Sequence, residues 1–208
     1  MKGMMLRSAT AVGIVLSVGG RASAEPRTHD GFQFRGASGL GYLADSEQPD
    51  GSSTSDKIHG VAGSFEAFFG GTVASGLSLG GFFGAVFAPG PSVSVNGRDI
   101  GTASSSVSLD LFTIGPYIDF YPDPHGGFHV LATVGFADLN ASNGSRSSNS
   151  ATGFGVGAGL GYDWWVSEEW SLGVLARFQY AHMTLSEGGL SASEDTLAPI
   201  LAFSFQYQ

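Results

Sequence analysis

The sequence lacks cysteine altogether, and it is poor in charged residues, which make up 13% of its 208 positions. Without cysteine it forms no disulfide framework and offers no thiolate for catalysis or metal binding, which is compatible with a periplasmic or surface location. Soluble domains carry about a quarter charged residues. After its first residues the chain also lacks any apolar run long enough to span a membrane as a helix. These absences together fit a transmembrane β-barrel.

The N-terminus has the three parts of a secretory signal in order. Lys2 and Arg7 precede a short apolar run, and the A-x-A cleavage motif occupies residues 22–24. This order predicts that residues 1–24 are a cleaved signal peptide and that residues 25–208 form the mature barrel domain. The apolar run is too short to be a membrane-spanning helix.

The mature chain is strongly acidic. Three of the nine basic residues lie in the leader, so six remain against 18 acidic residues. Such a chain cannot neutralise phosphates, and no nucleic-acid partner is expected. Many of its 33 glycines alternate as strand positions and do not lie between a strand and a helix, so no phosphate-binding loop and no cofactor are predicted.

Residues 153–180 carry the clearest structural signal. From Gly153 to Trp164, apolar or aromatic side chains occupy even positions and glycine most of the odd ones. A period of two indicates a β-strand, and about a dozen residues suit a tilted strand that crosses a bilayer. The turn Ser167-Glu168-Glu169 follows, and a second alternating strand returns. The segment therefore predicts a membrane hairpin.

The same alternation recurs along the chain and predicts eight strands. Besides the two of the hairpin, they are residues 32–44, 58–70, 76–88, 104–121, 127–139 and 196–207. Short turns alternate with longer polar segments, including Pro89–Ala103. The predicted fold is all-β: an eight-stranded antiparallel up-and-down transmembrane barrel with short periplasmic turns and longer extracellular loops. In the fourth strand the apolar parity changes, and a bulge near Leu111-Phe112 is predicted to turn both Asp110 and Asp119 inward.

Aromatic residues cluster at the strand ends beside the short turns. We predict a periplasmic aromatic girdle formed by Phe69, Phe120, Tyr121, Trp164, Trp165, Trp170, Phe205 and Tyr207. Two such girdles bracket the apolar band of membrane barrels. A soluble β-sandwich or lipocalin-like barrel is the alternative, but a sandwich buries its aromatic residues in mid-strand.

Three segments resemble the small eight-stranded outer membrane barrels of the OmpX and OmpA transmembrane-domain class of Gram-negative bacteria. They are GFGVGAGLGYDWWVSEEWSLGVLARFQY, IGPYIDFYPDPHGGFHVLATVGF and the terminal LAFSFQY. The resemblance is one of pattern and covers the mature chain. It implies an integral protein of the bacterial outer membrane, in contact with its lipids. It also implies that the alternating aromatic residues of the last strand help the assembly machinery to recognise it.

Polar residues on the inward parity are the candidate functional residues of the lumen. The predicted lumen network is Arg35, Glu66, Asp110, Asp119, His129, Asp163, Arg177 and Gln179. An eight-stranded barrel is just wide enough for side chains to fill it. A structural network that plugs the lumen is therefore the preferred interpretation, and a narrow polar pathway for ions or small solutes is the alternative.

Two other groups could carry chemistry. His182 lies near Thr184, Ser186 and Glu187, a composition that a hydrolase could use, although an interfacial histidine at the barrel rim explains it as well. Four acidic residues fall within residues 45–56, without the spacing of an EF-hand. They form either a solvated loop or a weak divalent site, and no metal site is predicted from them.

The functional hypothesis is a non-enzymatic outer membrane barrel with a structural or surface-interaction role. Its extracellular loops would contact a ligand or a partner. A narrow conduit is the second hypothesis, and a lipid-modifying enzyme acting at the outer rim is the third.

Overall fold

The computed structural model describes residues 27–49, 56–143, 146–187 and 190–208. The predicted signal peptide lies outside these residues. Within them, no helix is long and apolar enough to cross a membrane. The strands are β1 (Phe32–Pro49), β2 (Asp56–Ala74), β3 (Leu77–Pro89), β4 (Ser92–Val95), β5 (Arg98–Thr102), β6 (Val107–Phe120), β7 (Phe128–Asn143), β8 (Arg146–Trp165), β9 (Trp170–Glu187) and β10 (Leu190–Tyr207).

Eight of these strands close into an antiparallel barrel. Each long strand pairs with the next long strand along the chain, so that β3 pairs with β6. The first strand, β1, pairs with both β2 and β10, which closes the sheet. At Pro199, which has no backbone N–H, the pairing of β10 with β1 skips Tyr42 and Leu43, whereas the pairing with β9 continues from Leu190 to Tyr207. The prediction of an eight-stranded antiparallel barrel is confirmed.

The strands at the long-loop end are longer than predicted. Three segments predicted as polar loops, which begin at Asp45, Asn140 and Ser186, are largely continued as paired strands. The predicted loop Pro89–Ala103 contains the hairpin of β4 and β5, and β4 pairs with the start of β2. Asn96 and Gly97 both have positive φ at its tip (48° and 75°), as a tight hairpin turn requires. Most of these segments are polar and show no apolar alternation, and β4 alternates serine with valine over only four residues.

The predicted bulge in β6 is wrong. β6 pairs with β3 and β7 without a register shift. Leu109 and Leu111 are buried in the lumen, and Phe112 lies on the outward parity. Asp110 is therefore on the outward face, half-buried, and accepts a hydrogen bond from the Ser108 hydroxyl at 3.1 Å. The apolar parity changes because the lumen lining itself changes from polar to apolar along the strand.

The outer face of the barrel is apolar. Large exposed side chains such as Leu40, Val61, Ile114, Leu201 and Phe203 point away from the lumen. Five residues of the predicted girdle are exposed at the short-turn end: Phe69, Phe120, Trp164, Trp170 and Phe205. Tyr207 is half-buried beside Trp170, with ring centroids 5.2 Å apart.

Two residues assigned to the girdle do not face outward. Tyr121 is 1% exposed and lies inside the barrel. Trp165 is half-buried, and its ring lies 4.7 Å from the ring of the fully buried His29. Both residues have odd numbers and follow the inward parity of their strands. The girdle was predicted from closeness to the short turns alone, which does not distinguish the two faces of a strand.

Candidate functional site

A charged cluster around Arg35 fills the lumen near the short-turn end. The Arg35 guanidinium lies 3.0 Å from Asp119 Oδ2 and 2.8 Å from Asp163 Oδ2. Its Nε donates to Gln206 Oε1 at 2.7 Å, across the pairing of β1 and β10. All these groups are almost completely buried. A buried charge is tolerated only when it is paired and hydrogen-bonded, and this arrangement provides both.

Tyr121 and His129 complete this cluster. The Tyr121 hydroxyl accepts a hydrogen bond from Arg35 and donates one to Asp163 Oδ2 at 2.7 Å. His129 Nδ1 lies 2.7 Å from Asp119 Oδ1, and its ring stacks on Tyr121 with centroids 4.9 Å apart. Strands on opposite sides of the barrel are thereby joined through one network.

A second ion pair lies further along the lumen. Arg177 Nη1 is 2.5 Å from Glu66 Oε1, and Nη2 donates to the Thr133 hydroxyl at 2.9 Å. Its guanidinium lies over the rings of Phe68 and Phe82, 5.6 and 5.8 Å from their centroids.

The glycine column of β8 lines the wall beside Arg177. A Cβ at Gly157 would overlap the guanidinium of Arg177 and the hydroxyl of Thr133. The column therefore accommodates bulky inward side chains. It does not leave an open path beside them.

The half of the lumen towards the long loops is apolar. Its buried residues form one cluster: Ala37, Leu43, Ala62, Val86, Ala88, Leu109, Leu111, Ala137, Leu139, Ala151, Ala181, Met183, Ala198, Ile200 and Ala202. Between this cluster and the Arg177 level, Gln179 donates to the Thr113 hydroxyl at 2.8 Å. These apolar side chains occupy most of this half of the lumen, and the buried polar side chains Asp45, Glu194 and Thr196 lie only at its outermost level.

Residues 27–31 close the short-turn end. His29 is fully buried and stacks on Tyr121 at 3.5 Å. Its Nε2 donates to the Gly126 carbonyl at 2.9 Å, and its Nδ1 lies 2.5 Å from Gln208 Oε1. The backbone of the segment is held by Pro124 and Glu168 in the two adjacent turns. We call this segment the plug.

The plug makes barrel stability depend on pH. Burial is the main cause that lowers the pKa of His29 from 6.5 to about 4. Between pH 6.5 and pH 4 the unfolded chain therefore binds a proton at His29 that the folded plug does not bind. The contribution of His29 to stability is complete above pH 6.5 and is expected to be lost as the pH falls towards 4. The loss amounts to ~3 kcal/mol when each pKa unit is counted at 1.36 kcal/mol.

Urea unfolding in lipid vesicles at pH 7.5 and pH 4.5 measures this effect. His29→Phe, which keeps the ring but not its titration, is expected to lose most of this pH dependence. His125→Phe, in the exposed turn nearby, is the control and is expected to keep it. Equal pH dependence in wild type and His29→Phe would contradict the assignment to His29.

The predicted lumen residues fall into two groups. Seven of them, Arg35, Glu66, Asp119, His129, Asp163, Arg177 and Gln179, are buried in the lumen, whereas Asp110 faces outward. The roles of Tyr121, Gln206 and His29 in the lumen were not predicted from the sequence. Parity alone could have placed Tyr121 with Asp119 and Gln206 with Ser204. His29 precedes the first strand and belongs to no periodic pattern, so no sequence signal identified it.

His182 lies at the outer rim on the outward face. Its Nδ1 is 2.9 Å from Asp195 Oδ1, and the Tyr180 hydroxyl donates to the same oxygen at 2.5 Å. Thr184 is exposed, and the side chains of Ser186 and Glu187 lie outside the described residues. Among the side chains that are described, no serine or threonine hydroxyl hydrogen-bonds to His182. In the described part of the rim, His182 and Asp195 thus form an acid–base pair to which no serine or threonine hydroxyl is hydrogen-bonded.

An apolar outer face, aromatic residues at the strand ends and a lumen filled by buried polar and apolar layers define the class of outer membrane β-barrels. The chain belongs to the autotransporter β-domain family, whose model matches residues 34–195. It is an integral protein of the bacterial outer membrane, so the short turns are periplasmic and the long connections extracellular.

Solved structures of small outer membrane barrels share the fold. OprG from Pseudomonas aeruginosa has a TM-score of 0.53 at 15% identity, over 88% of this chain and 100% of that one. Neisserial surface protein A has a TM-score of 0.51 at 12% identity, over 84% and 96%. AlkL in lipid bilayers has a TM-score of 0.50 at 13% identity, over 99% and 97%. No curated protein sequence matches the chain. The predicted resemblance to small outer membrane barrels is confirmed.

Proposed function

We propose that this protein is a non-conducting, non-enzymatic outer membrane barrel that presents a binding surface outside the cell. The observation that carries the proposal is a lumen filled at three successive levels. The plug lies at the periplasmic mouth, the ion pairs of Arg35 and Arg177 follow, and the apolar cluster fills the outer half. Residues from all three levels are fully buried, including His29, Arg35 and Leu43.

The extracellular extensions support the proposed surface role. A tilted strand crosses a bilayer in about 9–11 residues, whereas β8 has 20 residues and β9 and β10 have 18 each. The excess lies towards the extracellular end, where the β4–β5 hairpin also extends the sheet by pairing with the start of β2. Paired strands of this kind offer a preorganised face to a ligand, which lowers the entropy lost on binding.

The rim geometry supports a non-enzymatic role. Hydrolysis by a histidine–carboxylate pair needs a nucleophile within hydrogen-bond reach of the imidazole. Around His182 the described residues supply Asp195 and Tyr180, and the Tyr180 hydroxyl and His182 Nδ1 contact the same carboxylate oxygen of Asp195. Neither can act as the serine or threonine of such a site.

Conductance measurements test the closed lumen. Wild-type protein inserted into a planar bilayer is expected to give no discrete single-channel openings, because charged and apolar side chains occupy the lumen along its length. Gel mobility that shifts on heating, measured on the same preparation, controls for folding. Steady openings whose size changes in Arg177→Ala would contradict the proposal and favour a narrow conduit.

Lipid analysis tests the non-enzymatic part. Expression in a Gram-negative host is expected to leave the composition of outer membrane lipid unchanged, in wild type and in His182→Ala alike. A modified lipid that disappears in His182→Ala would show that the rim pair is catalytic.

A further inference from the structure

Carboxylates line up across three strands at the extracellular mouth of the lumen. In the strand register, Glu47 of β1 lies directly opposite Glu194 of β10 on one side and Asp56 of β2 on the other. All three follow the inward parity of their strands. Asp45 lies two residues below Glu47 on the same face. We call these four residues the acidic row.

Like charges directly opposite in a sheet repel each other and destabilise it. A folded sheet keeps such a row where protonation or a bound cation relieves the repulsion. The acidic row is therefore an arrangement that a bound cation would stabilise.

One member of the row is deeply buried without a partner. Glu194 is 7% exposed, and no described residue donates a hydrogen bond to it or forms an ion pair with it. Asp45, 4% exposed, accepts a single side-chain hydrogen bond, from Thr196 at 2.7 Å. Asp56 Oδ1 is buried and has no hydrogen-bond partner among the described residues. A carboxylate in this state carries a large desolvation cost that a cation would offset.

No positive side chain faces the row from the described parts of the neighbouring strands. β9 places Met183 opposite Glu194, and β2 turns Lys57 to the exposed outward face. Asp195 and His182 pair with each other on the outward face as well. The connecting residues 50–55 and 188–189 contain no lysine or arginine. Within the described residues, the cation in register with the row is Arg98 of β5, which is exposed and lies two strands beyond Asp56, so no described cation lies directly beside the row.

We propose that the acidic row binds a linear polyamine that enters the barrel mouth from the extracellular side. The row runs across adjacent strands ~4.8 Å apart, so it presents its charges in series, not around a point. In the described residues, no three carboxylate or imidazole side chains come close enough to hold a metal ion. A flexible chain of ammonium groups matches a line of carboxylates, and each ammonium supplies several hydrogen-bond donors.

Proton release is a consequence of this site. Burial, with Asp45 and Glu47 nearby, raises the pKa of Glu194 to about 8, and burial raises that of Asp45 to about 6. Glu194 therefore holds a proton at neutral pH in the free protein, and an arriving ammonium group displaces it. The affinity for the polyamine is therefore expected to rise between pH 6 and pH 8, because a larger fraction of Glu194 is already deprotonated before binding.

Titration calorimetry with spermidine on the folded full chain in detergent micelles tests the proposal. We expect saturable binding to wild type that is at least ~10-fold tighter at pH 8 than at pH 6, or ~1.4 kcal/mol. Glu47→Gln and Glu194→Gln are each expected to weaken binding at pH 8 by ~10-fold, and Glu194→Gln also to remove most of the pH dependence. Glu168→Gln, in a periplasmic turn, is the matched control and is expected to bind as wild type does. Heat-modifiable gel mobility shows that each variant is folded.

Three results would overturn the polyamine site. They are absence of saturable spermidine binding to folded wild type, unchanged binding in Glu194→Gln, and tighter binding of Ca²⁺ through the same residues. The site builds on the proposed surface-binding role, but its test is separate from the conductance test. Failure to bind spermidine would leave the closed lumen standing, and a conducting barrel would not remove the row.

Discussion

Arg35→Met is expected to lower the free energy of unfolding of the barrel by about 3–5 kcal/mol. The methionine fills similar space but leaves Asp119 and Asp163 as uncompensated carboxylates inside the lumen. Tyr121 also loses the guanidinium that donates to it. Urea unfolding in lipid vesicles, followed by tryptophan fluorescence, measures the change. Arg98→Met, on the exposed β5 of the extracellular hairpin, is the matched control and is expected to change stability by less than ~0.5 kcal/mol.

The source of this loss can be separated from side-chain packing. If unpaired carboxylates cause it, adding Asp119→Asn and Asp163→Asn to Arg35→Met will recover part of the lost stability, since neutral groups cost less to bury. No recovery in this triple variant would indicate that the shape of Arg35 matters more than its charge. A loss below ~1 kcal/mol in Arg35→Met itself would contradict the buried network.

Gly161→Ala is expected to lower the free energy of unfolding by about 1–3 kcal/mol, although it adds only one methyl group. The new Cβ would overlap the imidazole of His129. That ring cannot move aside freely, because it is fully buried, bonded to Asp119 at 2.7 Å and stacked on Tyr121. Displacing it would break the hydrogen bond at the centre of the charged cluster. The same vesicle unfolding assay measures the effect.

Gly63→Ala is the matched control for this substitution. Gly63 lies in β2, and a Cβ there would meet no atom within 4 Å. Its stability is expected to stay the same or to rise by up to ~1 kcal/mol, because alanine restricts the unfolded chain. Equal effects of the two substitutions would show that the glycine column is not required by the packing of the lumen.

The sequence predicted the fold well wherever one face of a strand met lipid. Alternation then marks both the strand and its inward side, so residues such as Arg177 and Asp163 could be placed in the lumen from parity alone. The extracellular extensions have polar side chains on both faces. Their pairing depends on the neighbouring strand and leaves little periodic signal, which is why β5 and residues 190–195 of β10 were missed. The alternation of serine and valine in β4 covers only four residues.

The composition of the lumen was less predictable than its position. The parity change in β6 was interpreted as a bulge because the interior was assumed to be polar throughout. Leu109 and Leu111 instead belong to an apolar outer half, and Asp110 faces outward. Contacts across the barrel, such as that between Arg35 and Asp119, join residues far apart in the chain. No local pattern encodes them.

The position of His29 has a consequence for the order in which the barrel assembles. Its partner Gln208 lies 179 positions further along the chain, and its ring also contacts Tyr121, Trp165 and the Gly126 carbonyl. The full set of contacts therefore forms only when β10 has joined β1. We expect the protection of His29 from solvent to report closure of the barrel, because an open sheet lacks the contact with Gln208.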